Sequence, residues 1–242
     1  MLTEQQRYFF DVNGYVVLPD VLKAEEVAHL NDVLDSQQLP IPGDDIMSQR
    51  FWDEFLHWDP ACRDLIDNEA VLPIVQELCG SYVRLDHAYG IIMNPQTGGL
   101  GLHGGAVPFD PAQFYLASGG KVRSGLTVVS FSLVDVPRGS GGFCCIPGSH
   151  KAEFALPAEV DTSMVVHVDH GPGSVVIFTE ALTHGTLPWT AEYQRRHLLF
   201  KYSPGNSAWQ KVEGAHEGLE LTERQSRLLE PPYVGYRKPV EN

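Results

Sequence analysis

The sequence has few cysteines and no long apolar run. Its four cysteines stand at positions 62, 79, 144 and 145 of 242 residues, without CxxC or zinc-finger spacing. We therefore expect a reduced, cytoplasmic chain without disulfides. The N-terminus lacks the basic and apolar regions of a signal peptide, and no segment approaches the roughly 20 apolar residues that a membrane span requires. The sequence thus predicts neither secretion nor a membrane partner.

Basic residues are also scarce. Seventeen Lys and Arg stand against 31 Asp and Glu, which gives a net charge of −14. Such a surface repels phosphate backbones, so nucleic acid is not expected as a partner. Hydrophobic residues make up 43% of the chain, enough for a sizeable core. A small-molecule partner is the remaining expectation, and the sequence indicates no oligomeric state.

The N-terminal third of the chain predicts helices around one short strand. Thr3 and Gln6 form a capping box at the start of the first helix. Pro73 indicates a later start for the third helix than its apolar spacing suggests. The aromatic residues within 51–58 predict a loop or short helix packed on the core, with a substrate wall as the alternative. The predicted elements are helices over about 3–11, 25–36 and 68–79, and a strand over 15–19.

From residue 82 onward the pattern changes to short strands. The run 126–134 alternates, which is typical of a strand buried on one face. Six strands without interleaved helices predict an antiparallel sandwich or jelly roll. We expect one domain over 1–242, mainly β with N-terminal helices: a helical front about 1–80, a β core about 82–204 and a C-terminal tail 205–242. The predicted strands are 83–93, 126–134, 143–146, 165–168, 175–178 and 198–202.

Two histidines, each followed by glycine, end apolar stretches that lie far apart in the chain. His103 stands in Leu-His-Gly-Gly and His184 in Leu-Thr-His-Gly, and the pair Arg195-Arg196 follows. Jelly-roll strands bring distant positions together, so the two imidazoles could share a metal, although each could equally be structural. Two histidines and one carboxylate on one face are typical of non-haem iron oxygenases, which leave the other metal positions open.

Four segments of this chain occur in an order that points to a known family. They are FFDVNGYVVLPDVL at 9–22, GGFCCIPGSH at 141–150, GSVVIF at 173–178 followed by LTHG at 182–185, and Arg195 eleven residues after His184. Together they resemble the phytanoyl-CoA dioxygenase family of iron(II)- and 2-oxoglutarate-dependent oxygenases. The match spans most of residues 5–202.

The resemblance implies a double-stranded β-helix, the cupin-like form of the jelly roll. His103 and His184 would bind iron(II), and Arg195 would form a bidentate salt bridge with the distal carboxylate of 2-oxoglutarate. Arg196 is the alternative, because neighbours on a strand face opposite sides and a one-residue error exchanges them. Phe131 either lines the cosubstrate pocket or packs in the core.

Gly105 departs from the family pattern, which carries His-x-Asp at this motif. Three explanations compete. Chloride could occupy the position, as in the related radical halogenases. A carboxylate from elsewhere, Glu180 or Asp110, could reach the metal. The chain could also be a non-catalytic jelly-roll binding protein, because metal affinity falls when a carboxylate ligand is not replaced.

Residues 106–124 predict either a lid over the barrel or a long surface loop. As a lid, they would bring Tyr115 and Arg123 to the substrate, and Arg123 would favour an anionic group. The leading hypothesis is an iron(II)- and 2-oxoglutarate-dependent oxygenase that hydroxylates a small organic substrate. Halogenation at the same site and binding without catalysis are the alternatives.

Overall fold

A computed structural model describes residues 1–39, 49–211 and 216–241. Helices lie mainly before the β-rich part of the chain, as the sequence predicts. Short 3₁₀ turns occur at Asp53–His57, Ser149–Lys151 and Thr162–Met164. The helices are α1 (Glu4–Asn13), α2 (Ala24–Ser36), α3 (Pro60–Asp64), α4 (Leu72–Cys79) and α5 (Glu223–Leu228).

Local chemistry explains where the N-terminal helices begin and end. Thr3 and Gln6 form the predicted capping box of α1, and Gly14 ends that helix in the left-handed region at φ 82°. The helix predicted over 68–79 begins only at Leu72, because Pro73 lacks an N–H and fits the first turn. Among the described residues, no helix is both long and apolar enough to cross a membrane.

The β part forms two facing antiparallel sheets and a separate hairpin. The larger sheet has the order β1-β10-β7-β12-β3-β2, the smaller β4-β11-β8-β9, and β5 pairs only with β6. This arrangement confirms the predicted jelly roll. The strands are β1 (Tyr15–Leu18), β2 (Gln49–Phe51), β3 (Arg84–Met93), β4 (Leu100–His103), β5 (Tyr115–Ser118), β6 (Lys121–Ser124), β7 (Thr127–Ser132), β8 (Gly142–Cys145), β9 (Val166–His167), β10 (Val175–Thr179), β11 (His184–Leu187) and β12 (Arg195–Ser203).

The larger sheet is buried on both faces. Its outer face packs on the helices in one apolar cluster, whereas its inner face faces the smaller sheet in a second cluster. Every residue of β7 is buried, so the prediction of a strand buried on one face is wrong. The alternation of Val and Ser reflects two different buried surroundings rather than core and solvent.

The C-terminal tail is tied to the barrel through the buried carboxylate of Asp86. Asp86 is the extra, unpaired residue of a bulge in β3, between the partners of Lys201 and Tyr202 in β12. Its oxygens accept hydrogen bonds from Arg84 (3.0 Å), His87 (2.7 Å) and the Ser203 hydroxyl (3.1 Å). The backbone N–H groups of Trp209 and Gln210 also donate to it, at 2.9 and 3.1 Å. Five donors on one buried carboxylate therefore fix the start of the tail beside the barrel.

We predict that Asp86→Asn destabilises the protein by about 3 kcal/mol at pH 7, because it removes the buried charge that these donors satisfy. Burial alone would raise the pKa of Asp86, but its hydrogen bonds and the neighbouring His87 hold the pKa below 3.8. The stabilisation is then present above that value and is lost as pH falls through the folded-state pKa.

Urea unfolding at pH 7 and pH 3 measures this loss. The difference between Asp86→Asn and the unmodified protein should narrow at the lower pH. Asp32→Asn, an exposed change on α2, is the control and should stay within about 0.5 kcal/mol. An equally small effect for Asp86→Asn would contradict the prediction.

Candidate active site

The two predicted histidines lie directly opposite each other on paired strands. His103 ends β4 and His184 begins β11, and the antiparallel register makes them cross-strand partners. Their ring centres are 4.3 Å apart, with an interplanar angle of 54°. The fold therefore brings together two side chains that are distant in sequence.

Both imidazoles are held in the tautomer that suits a metal ligand. The Nδ1–H group of His184 donates to the Leu182 carbonyl at 2.7 Å, and that of His103 donates to the Gly101 carbonyl at 2.9 Å. A carbonyl can only accept, so Nδ1 of each ring carries a proton, and in the neutral ring the lone pair is on Nε2. Burial lowers the pKa of His184 to about 4, which keeps that ring neutral at pH 7.

Glycine is required where the two metal-site strands meet. A Cβ at Gly104 would lie 2.8 Å from the carbonyl oxygens of both Glu180 and Leu182, and the backbone there has φ +74°. Gly105 also lies in the left-handed region, at φ +108°. The His-Gly-Gly turn therefore has a backbone that an aspartate at position 105 would adopt only with strain.

The two arginines at the start of β12 point to opposite sides of the sheet. Arg195 is 4% exposed and faces the barrel interior, where its Nη1 contacts the Met93 sulfur at 3.5 Å. Arg196 instead reaches α2 on the outside, where its Nη2 pairs with Asp35 at 2.7 Å. This placement corrects the alternative of Arg196 as the cosubstrate arginine, because its charge is already paired away from the interior.

The guanidinium of Arg195 is an unneutralised buried cation. Within the described ranges it makes no salt bridge, and its Nε has no hydrogen-bond partner. Burial lowers its pKa to about 10, so it remains charged at pH 7. A Cβ at Gly142 would lie 2.9 Å from that Nε, so glycine provides the space. A buried charge without a partner is costly, and a carboxylate ligand would satisfy it.

Phe131 lies on the other side of the larger sheet from this arginine. It belongs to the apolar cluster that packs on the helices, and its ring centre is 5.7 Å from that of Phe200. This corrects the expectation that Phe131 lines the cosubstrate pocket. The alternation along β7 instead turns the hydroxyls of Ser130 and Ser132 inward, where they bond His197.

The predicted lid is a β-hairpin, β5–β6, with contacts to the helical front. The Tyr115 hydroxyl donates to Asp11 on α1 at 2.6 Å, and its ring packs edge-on against His150 at 4.5 Å. Arg123 is exposed, and its Nη1 bonds the Val122 carbonyl. The described contacts do not bring either predicted substrate residue to the histidine pair. Asp110 accepts from the Ala112 backbone at 2.7 Å, as a turn residue does.

A buried ion pair, Lys201 with Glu180, lies in the barrel near the histidines beside a group of aromatic side chains. The sequence had indicated only Glu180 and the aromatic segment that contains Trp52. Lys201 Nζ contacts Glu180 Oε1 at 2.5 Å and lies 5.5 and 5.7 Å from the ring centres of Tyr89 and Trp209. Trp52 packs on Tyr89 at 5.5 Å. Lys201 could have been found, because a period of two from Arg195 places it on the inner face of β12.

The residues fit iron(II) and 2-oxoglutarate. Two imidazoles whose Nδ1–H groups are held by carbonyls leave their Nε2 atoms for a divalent transition metal, and the unpaired arginine suits a dicarboxylate. Among the described residues, no three His, Cys, Asp or Glu side chains lie close enough together to hold a metal. The described site therefore brings together two histidines, and the nearby carboxylate of Glu180 is held by Lys201.

The fold and these residues define the class of 2-oxoglutarate-dependent oxygenases. A model of the phytanoyl-CoA dioxygenase (PhyH) family matches residues 10–197, so the chain belongs to that family. It is accordingly an iron(II)- and 2-oxoglutarate-dependent dioxygenase, as the sequence motifs predict.

Individual relatives agree with this class. HygX from Streptomyces hygroscopicus, crystallised with nickel and 2-oxoglutarate, has a TM-score of 0.78 at 26% identity, over 90% of this chain and 95% of HygX. A second HygX structure also contains hygromycin B. It is 25% identical with a TM-score of 0.76, over 87% of this chain and 91% of HygX. A probable alpha-ketoglutarate-dependent hypophosphite dioxygenase from Stutzerimonas stutzeri is 23% identical over 96% of this chain and 91% of its own. The carbocyclase SnoK from nogalamycin biosynthesis shares the fold. It is 18% identical with a TM-score of 0.65, over 100% of this chain and 94% of SnoK.

We predict that Gly104→Ala destabilises the protein by about 2 kcal/mol, because the added Cβ meets two carbonyl oxygens at an unfavourable φ. Gly101→Ala is the matched control, since a Cβ at Gly101 meets nothing within 4 Å. Thermal unfolding of both variants measures the difference. Equal midpoints would show that the close approach at Gly104 is not required.

Proposed function

We propose that this dioxygenase hydroxylates a C–H bond of a small organic substrate, with His103 and His184 binding the iron and Arg195 binding 2-oxoglutarate. One observation carries the proposal. The two imidazoles lie 4.3 Å apart, each with its Nδ1–H held by a backbone carbonyl, and the same jelly roll buries an arginine without a counter-charge among the described residues. Each group alone has structural explanations, but a buried cation without a counter-charge is explained by an anionic ligand.

The protein's part in the reaction is to bind, orient and exclude water. Iron(II) with 2-oxoglutarate supplies the oxidising power for C–H attack when both are bound. The backbone carbonyls of Leu182 and Gly101 orient the two imidazoles. Phe143 and Phe178, whose ring centres are 6.0 and 4.8 Å from that of His184, form an apolar wall beside that ligand. Such a wall limits water at the reacting centre.

The substrate is proposed to bind where the aromatic group meets the ion pair. Trp52 and Trp209 are 44% and 48% exposed, whereas Tyr89 and Lys201 beneath them are buried. Exposed rings beside buried polar groups are typical of a small-molecule site. The HygX complex with hygromycin B supports a polar organic molecule as the kind of substrate. Hydroxylation is the reaction that we propose. The carbocyclase SnoK, which shares the fold, illustrates that this fold also serves other reactions.

Halogenation is a second candidate, and Gly105 is the observation that favours it. Without an aspartate at that position, chloride could bind the metal there. Product formation at increasing chloride concentration tests this, with sulfate at matched ionic strength as the control. A halogenated product that requires chloride would support this candidate, and indifference to chloride would rule it out.

We predict that Arg195→Met weakens 2-oxoglutarate binding by about 100-fold, because a bidentate charge-assisted contact in a buried site is worth roughly 3 kcal/mol. Arg196→Met is the matched control, since the neighbouring arginine pairs with Asp35 outside the barrel. Isothermal titration calorimetry with the Ni²⁺-loaded protein measures both dissociation constants. Arg196→Met should stay within about threefold.

Equal losses in both variants would contradict the assignment of Arg195. A separate measurement distinguishes catalysis from simple binding: succinate formed from 2-oxoglutarate under O₂, with the iron-loaded protein. His184→Ala should abolish it. If the unmodified protein forms no succinate with any substrate pool, a binding protein that lacks catalysis is the better description.

A further inference from the structure

We propose that Glu180 supplies the carboxylate that position 105 lacks, by exchanging its contact with Lys201 for the metal. The inference rests on the proposed function, since it assumes that His103 and His184 bind the metal. It assigns the third protein ligand to the end of β10 instead of the His-x-Asp motif.

The backbone places Glu180 beside both histidines. Its carbonyl oxygen would lie 2.8 Å from a Cβ at Gly104, so the chain at Glu180 abuts the residue that follows His103. On β10, Phe178 turns inward and contacts His184 at 4.8 Å between ring centres. Glu180 is two residues further on and turns to the same side, where it meets the inward-facing Lys201.

Glu180 is a buried carboxylate that an ion pair holds inside the barrel. It is 4% exposed, and its Oε1 lies 2.5 Å from Lys201 Nζ. A cation at this distance favours the charged form of a buried carboxyl group. Glu180 is therefore an oxygen donor with a negative charge, as the missing aspartate would be.

Lys201 can give up this carboxylate because it has other stabilising contacts. Its ammonium group lies over the rings of Tyr89 and Trp209 at 5.5 and 5.7 Å. Such aromatic faces attract the ammonium group independently of the carboxylate. The exchange needs a new side-chain rotamer of Glu180, because the described residues bring no three ligands together. Asp110 is a weaker choice, since it is held in its own turn by the Ala112 N–H.

The test is the dissociation constant for Ni²⁺, measured on the full chain by equilibrium dialysis without 2-oxoglutarate. Glu180→Gln should weaken binding by about 10- to 100-fold, because it removes a ligand oxygen charge and keeps the side-chain shape. Lys201→Met breaks the same ion pair but removes a cation, so it should bind Ni²⁺ at least as tightly as the unmodified protein. Asp110→Asn, the control for a nearby lost charge, should stay within twofold.

His184→Ala separates this inference from the proposed function. If it abolishes Ni²⁺ binding while Glu180→Gln stays within twofold of the unmodified protein, Glu180 is not a ligand and the proposed metal site stands. Equal weakening by Glu180→Gln and Lys201→Met would also overturn the inference, because the ion pair would then be structural. Retained binding in His184→Ala would overturn both. Thermal unfolding checks that each variant is folded, and the visible spectrum of the Co²⁺ form should change for Glu180→Gln but not for Asp110→Asn.

Discussion

The site depends on the close approach of the end of β4 to the segment before β11. Only glycine at position 104 allows two carbonyl oxygens within 2.8 Å of where a Cβ would stand. That approach sets the register in which His103 faces His184. A side chain at 104 would separate the strands, and strand separation would move the two imidazoles apart. The pairing of the two histidines is therefore a consequence of backbone packing before it is a matter of metal chemistry.

The inner face of β12 carries two buried cations, and only one of them has a carboxylate partner among the described residues. At one end of β12, Arg195 has no counter-charge within the described residues; six residues further along the same face, Lys201 is paired with Glu180. An unpaired buried cation costs free energy that a bound dicarboxylate would offset. A paired one is already compensated within the protein. The same strand thus carries one buried cation that has a protein counter-charge and one that has none among the described residues.

The sequence predicts the fold class and the meeting of the two histidines well. Apolar runs separated by glycine and proline predict several strands, and the jelly roll that they form brings together the two His-Gly pairs that follow apolar stretches. The short strands β4 and β11 and the β5–β6 hairpin escaped prediction, since they mix glycine, polar or charged residues with few apolar ones, whereas the equally short β1 and β8 are mostly apolar. The period of two also predicts that Arg195 and Arg196 face opposite sides, but not which side is the interior. That choice depends on a partner from a distant part of the sequence, Asp35 in α2.

Gly105 illustrates why a motif and a site are different things. By motif, the missing aspartate removes a ligand, and metal affinity should fall. By structure, position 105 has φ +108° and a neighbouring Thr183 hydroxyl 3.0 Å from a Cβ, so the turn does not have the shape of an empty aspartate position. Ligand sets are defined by which side chains face one interior volume, and Glu180 faces it from another strand. An aspartate at 105 would adopt a strained backbone, whereas the carboxylate of Glu180, which follows β10, is already buried inside the barrel. The loss of a ligand at one position therefore does not by itself imply the loss of the metal.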